Sequence, residues 1–448
     1  MQRFTILAVA LLVLAAPFAV SFDYGADVTT TSRIETEEDF FNRDTLLLWT
    51  EVPLGRNHLF QARGGYAFST ELPAELVLNR FVIQGDYNPT ADTRLITQLG
   101  RIGLSTPSGM VFNHDVDGGS LRIQAPGATT RFGMGYTGFL FGPASQILVS
   151  IADTQVSTTD TFALATPRVV GTAEVTLSDL IPRQEITLAG TFQEDLRPVM
   201  DPAKLNTPLI SPNDTDVPTD AGGPVDTQYV TLGINGGIAS GLFYEAWGTY
   251  NAGSMLTLTE DPDTNVESYR PTPIRAFAAA AGLTYFRPQL LSLRVNGKFT
   301  YTSGDADHDS YFEGNTEGPS NLYQPINAAV ASIAFAPRLG NIMYGELHLG
   351  VRPFGSVQSR FLRNLGVSSG VYVFARSTEG AVSATGVGTG PGSNYLGTEV
   401  DANVTYRPFS DLGLGVGVGT FFPNSGDESP MTNQAFRLRA RLSTSLSF

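Results

Sequence analysis

His58, His114, His308 and His348 are the only histidines in the chain, and there is no cysteine. A hydrolytic site would need one of these imidazoles beside a nucleophile, and no G-x-S-x-G turn is present. His348 stands two residues from Glu346, and His308 lies in an acidic segment. No enzyme and no cofactor is expected. The missing cysteines also exclude disulfides, thiolate metal sites and a lipoprotein anchor. Asp305, Asp307 and Asp309 have the spacing of a calcium-loop start. However, Ser310 replaces the sixth-position glycine and Thr316 the twelfth-position glutamate, so the segment is no EF-hand. No metal is assigned, and these three carboxylates are the one place the sequence offers calcium. The chemistry that stands out is basic: Arg437, Arg439 and Arg441 recur at every second position near the C-terminus. A guanidinium keeps its charge and matches carboxylates with a planar fork. Such rows favour anions when they line a pore.

The element that carries those arginines alternates strictly. Phe436, Leu438, Ala440, Leu442, Thr444, Leu446 and Phe448 form one set, and the arginines with Ser443, Ser445 and Ser447 form the other. A period of two places each set on one face of a strand. The strand is long enough to cross a bilayer at a tilt, which takes about 9–11 residues. The ending with Leu446 and Phe448 resembles the C-terminal assembly signal of bacterial outer-membrane barrels. The same alternation recurs at 186–192, 291–301, 343–351, 396–406 and 412–422, apolar residues opposing polar ones. In the 412–422 segment the inward set is Gly413, Gly415, Gly417 and Gly419, which leaves space inside. Inward positions on these strands include Arg294, Lys298, Arg352, Arg407, Glu346, Glu399 and Asp401.

An apolar outward face repeated from strand to strand implies lipid as the solvent, and only a closed barrel pairs every strand edge there. Charged residues make up 16% of the chain, against roughly 25% in soluble globular proteins. We therefore expect an all-β transmembrane antiparallel barrel of about 18 strands over 22–448, with no second domain. Between Thr90 and Pro167 the alternation is broken, and strands are placed at 94–104, 118–125, 130–140 and 146–153. Arg3, the apolar run Phe4–Ala16 and the small residues Ala19 and Ser21 form a secretory leader over 1–21. The expected location is the outer membrane, reached through the periplasm.

Long polar segments near 196–226, 259–272 and 303–326 are expected as outer loops. Short connections such as 54–57, 286–289 and 407–411 are expected as periplasmic turns. The long segments hold nearly all of the net charge of −15, and solvation of the exposed end is the simplest reason for it. With 28 Lys and Arg against 43 Asp and Glu, nucleic acid is excluded as a partner. Lipids, the barrel-assembly machinery and small polar or anionic solutes are the expected partners, with a monomer favoured.

Tyr395–Asp401 (YLGTEVD), then Tyr406 and Thr420–Pro423 (TFFP), resembles the C-terminal part of the alginate-export family of outer-membrane barrels. Ser303–Asp305 before an acidic loop is similar to a segment of that family. So, more weakly, are Gly100–Arg101 and Asp117–Gly118. The resemblance implies an 18-stranded channel with an arginine-rich lumen, passing sugar acids or uronate oligosaccharides by diffusion or export. The alternative is a surface adhesin or structural barrel whose lumen is plugged by its loops.

Overall fold

Alternation translates directly into wall. In the computed structural model, which describes residues 22–36, 40–71, 74–159, 162–197, 223–261, 266–312, 314–315, 317–327, 332–432 and 435–448, eighteen strands form one closed antiparallel sheet. They are β1 Asp23–Glu35, β2 Phe41–Pro53, β3 His58–Ser69, β4 Glu75–Thr90, β5 Thr93–Ser105 and β6 Asn113–Ala125. Next come β7 Ala128–Tyr136, β8 Arg168–Ser178, β9 Gln184–Asp195, β10 Val225–Ala239, β11 Leu242–Asp261 and β12 Val266–Arg287. The last are β13 Leu293–Thr302, β14 Ile342–Val351, β15 Leu365–Arg376, β16 Tyr395–Tyr406, β17 Leu412–Pro423 and β18 Arg437–Ser447. Each strand pairs with its neighbours in sequence, and β18 closes on β1 from Asp27↔Ser447 to Glu35↔Arg439. Among the described strands no edge is left unpaired, as lipid requires. The expected leader, and 198–222 of the expected loop 196–226, lie outside the described residues.

The outward set is apolar around the wall, with Leu48, Phe81, Leu99, Leu188, Leu232, Leu283, Leu347, Val400 and Leu442 all exposed. Aromatic residues gather at both rims, among them Tyr24, Phe409 and Phe448 at one end and Phe68, Phe422 and Phe436 at the other. A lipid-facing band between aromatic girdles is the surface of an outer-membrane barrel, and that is where this protein resides. Odd-numbered strands run towards the end with long connections, and even-numbered strands towards the end with tight ones, such as 91–92, 126–127 and 240–241.

Three sequence expectations are corrected. Segment 94–104 is β5, 118–125 lies in β6 and 130–140 begins as β7, but 146–153 is no strand: it enters helix α1, Ile151–Ser157. The Asp153 carboxylate accepts the N–H groups of Val149 (2.9 Å) and Ser150 (2.8 Å), which starts the helix. Ile147 and Val149 imitate strand alternation because both are buried inside the barrel. Segment 259–272 is mostly ladder, since β11 and β12 pair as far as Asp261↔Val266. Pro271 and Pro273 both lie in this ladder. They fit because β13 pairs with β12 only from Ala278 onward, so their missing N–H groups have no strand to meet.

The third correction concerns 303–326. This acidic segment does not stand out in solvent. With 332–341 it folds into the barrel, where Leu322, Tyr323 and Ile326 are buried. With Phe335 and Leu339 of the same connection, they join Met110, Val111, Phe112, Leu140, Ile147, Val149, Val382 and Met431 from four other connections, packed on inward wall residues such as Tyr229, Ile274, Ala276 and Phe374. The long-loop half of the lumen therefore holds an ordinary apolar core inside an inside-out wall.

Candidate functional site: the barrel lumen

On β16 to β18, Glu399, Asp401, Arg437, Arg439 and Arg441 lie on the face opposite the exposed Val400, Leu438 and Leu442, and most of them hold the loop core. Glu399 is fully buried and accepts three successive main-chain N–H groups, Ile333 (2.8 Å), Ala334 (2.6 Å) and Phe335 (2.8 Å). The Ser332 hydroxyl donates to it at 2.9 Å. Arg439 donates to Glu35 across the closing strand pair and to the Ile333 carbonyl (2.9 Å). Arg437 donates to the Thr385 carbonyl at 2.7 Å and lies over the Phe335 ring, which itself stacks on Phe421. Asp401 is buried beside Glu399, with one oxygen unpartnered.

The glycine stripe on β17 divides in two. A methyl group on Gly419 would sit 2.7 Å from the Ile333 Cβ, so only glycine lets this loop approach the wall. At Gly413 and Gly415 the nearest groups are the hydroxyls of Ser445 and Ser443, and the space stays open towards Arg407.

Elsewhere some of the inward charges have partners. Lys298 meets Glu245 at 2.9 Å, and Glu346, opposite Lys298 in register, lies 3.8 Å from His348. No ion pair among the described residues involves Arg294, Arg352, Arg407 or Arg441. All four are exposed. Arg352 and Arg407 line a recess of about 840 Å³ at the tight-turn end with the hydroxyls of Thr29, Thr31, Ser443 and Ser445. Arg294 and Arg352 line an adjoining recess of about 500 Å³.

Sequence reasoning missed the inward arginines of the first strands. Arg43 pairs with Glu75 (2.7 Å) and Arg63 with Asp27 (2.8 Å), while Arg122 and Arg131 stand opposite each other on β6 and β7. The alternating partners Phe132 and Met134 were the available signal. Also missed was Arg168, fully buried between Asp153 (2.5 Å) and Asp195 (3.3 Å), which ties α1 to β8 and β9. Nothing local in the sequence joins these three.

In the folded-in loop, Asp305 accepts N–H groups from Asn321 (2.7 Å) and Asp307 (3.1 Å) and the Asn315 amide (3.3 Å). Among the described residues no three metal-ligating side chains converge, at Asp305, Asp307 and Asp309 or elsewhere. His308 Nδ1 lies 3.1 Å from the Ser310 carbonyl and so carries the proton, leaving Nε2 to accept from Ser320 Oγ at 2.9 Å. Both residues are about 1% exposed, which closes this Ser–His contact to any substrate.

No protein-family model and no curated protein matches the chain. Solved structures do match in fold. Pseudomonas aeruginosa OccK3 (OpdO) is 13% identical with a TM-score of 0.54, covering 95% of this chain and 96% of that one. The Pseudomonas aeruginosa outer membrane protein opdK is 9% identical with a TM-score of 0.53, covering 95% and 99%. A doubly substituted form of OccD1 (OprD) is 9% identical with a TM-score of 0.52, covering 95% of each chain. The fold is thus the 18-stranded porin-like barrel of the OccK and OccD proteins. This corrects the resemblance to alginate-export barrels, which these matches do not support. The residues behind it have local structural roles here: Glu399 and Phe421 anchor the loop core, and Arg101 grips Asp117 through Nε (2.9 Å) and Nη2 (2.5 Å). Ile102 and Val116, which alternate with that pair, point into the core, so it lies on the opposite face of the wall.

Proposed function

We propose that the protein is a porin-like diffusion channel of the outer membrane with a bias for small anionic polar solutes, sugar acids among them. The observation that carries this is the set of exposed inward arginines, Arg294, Arg352, Arg407 and Arg441, with no carboxylate partner among the described residues. Unpaired guanidinium groups in a water-filled wall raise the local concentration of anions and offer each carboxylate a two-pronged contact. Delivery by the barrel-assembly machinery and a monomeric state belong to the same proposal.

Single-channel current across a planar bilayer under a salt gradient tests it. Anion-biased reversal potential is expected, moving towards cations in the Arg352→Glu/Arg407→Glu variant. An unchanged reversal potential in that variant would reject the arginine-lined pathway. The loop core in the other half of the lumen favours a second reading, a surface barrel closed by its own loops. Absence of any conductance from a folded barrel would select it.

A further inference from the structure

The chain has two tryptophans, and both face inward. Trp247 packs against the loop core. Trp49 belongs to no apolar cluster among the described residues. Aromatic side chains at a membrane interface ordinarily face lipid, where the ring anchors the barrel. Trp49 does not, because its register partners are Gly25 and Arg63 on the inward faces of β1 and β3. A methyl group on Gly25 would lie 2.5 Å from the indole, so the missing side chain lets the ring lie flat on the wall.

The ring lines a recess of about 660 Å³ near the tight-turn end, within the roughly 300–1,000 Å³ span of small-molecule pockets. Around it the polar side chains are held in place by one another. Arg80 Nε donates to Gln61 (2.8 Å), Gln61 donates to Glu51 (2.7 Å), and Arg63 pairs with Asp27 (2.8 Å). Two arginines stand against the carboxylates of Asp23, Asp27 and Glu51, so nothing here draws an anion. The recess therefore differs in kind from the arginine-lined one.

We propose that this recess is a saccharide subsite, in which the ring of a neutral sugar stacks on Trp49 while its hydroxyls bond Glu51, Arg63 and Arg80. The C–H face of a pyranose is apolar and packs on an indole, and its edge carries hydroxyls that both donate and accept. An oriented set of carboxylate and guanidinium groups beside an aromatic face matches both features. The recess opens at the tight-turn end, away from the loop core, so it is reachable whether or not the channel conducts.

The test uses the whole folded protein in detergent micelles. In a Trp247→Phe background Trp49 is the sole indole, and its fluorescence is followed during titration with maltose, with sorbitol as the acyclic control. A saturable change with maltose but not sorbitol is expected, together with protection of the indole from acrylamide. Calorimetry should show affinity falling about tenfold in Trp49→Ala and falling also in Gln61→Ala, which frees Glu51 and Arg80 but keeps the ring. No saturable change with maltose, or an equal response to sorbitol, overturns the proposal. So does unaltered affinity in both variants. If Trp49→Ala does not fold, Gln61→Ala and the acrylamide protection decide.

Discussion

The two halves of the lumen use the same residue types for opposite ends. In the long-loop half, charged side chains are buried or half-buried and mostly engaged: Glu399 holds three main-chain amides, Arg439 and Arg437 hold loop carbonyls, and Arg168 bridges two aspartates. In the tight-turn half, Arg294, Arg352 and Arg407 face open recesses with no acid beside them. A charge removed from water must be paired to be tolerated, and once paired it has little left to offer a solute. Under the proposed function, the partners that fold and register place beside a guanidinium, and not its inward orientation alone, decide whether it serves structure or is left free for solutes.

The sharpest way to break this contrast is at Glu399. Glu399→Ala leaves three amides without their acceptor, a loss to the loop of about 3 kcal/mol or more. Segment 332–336 should then leave the wall, seen as a several-fold rise in single-channel conductance and as faster amide exchange there. Unaltered exchange would mean that Phe335 stacking holds the loop alone. Arg168→Met should follow in size, since it strands Asp153 as a buried charge and leaves Asp195 with Arg197 alone, at a cost of about 3 kcal/mol. Thermal unfolding in detergent measures it.

Arg437→Glu/Arg439→Glu separates the halves by readout. It should alter conductance through the loop core while shifting the reversal potential less than the Arg352→Glu/Arg407→Glu pair. An equal shift in both pairs would erase the distinction between them.

The smallest expected effect is at His308. Burial holds its imidazole below the usual 6.5, against the opposing pull of the Ser310 carbonyl and of Asp305, Asp309 and Asp307. The unfolded chain then takes up a proton first as pH falls. The stability of the loop is full above a pH of about 6.5, declines below it, and levels once the folded imidazole protonates. His308→Gln should flatten that slope when amide exchange of 308–320 is compared between pH about 7.5 and 5.

Much of the wall was legible in the sequence. Alternation at 436–448 and 396–406 assigned the inward face to Arg437, Arg439, Arg441, Glu399 and Asp401, because a strand's period of two is a local property. Reading failed where burial came from elsewhere. Ile147 and Val149 alternate as strand residues do, yet they face a core assembled by other loops. The polar segment 259–272 read as a loop but is mostly strand, its second part running on beyond the end of the neighbouring β13. The acidic run Asp305–Asp309 suggested solvent, and its carboxylate Asp305 is instead filled by loop amides.

A closed barrel in the outer membrane, of about 18 strands and with arginines turned inward, follows from the chain alone, because lipid imposes one repeating pattern on every strand. Which of those arginines are free does not follow from it. That depends on contacts between residues far apart in the chain, such as Glu399 with Ile333 and Arg439 with Glu35. No periodicity records such contacts, since they form only when the wall closes and the loops fold back inside it.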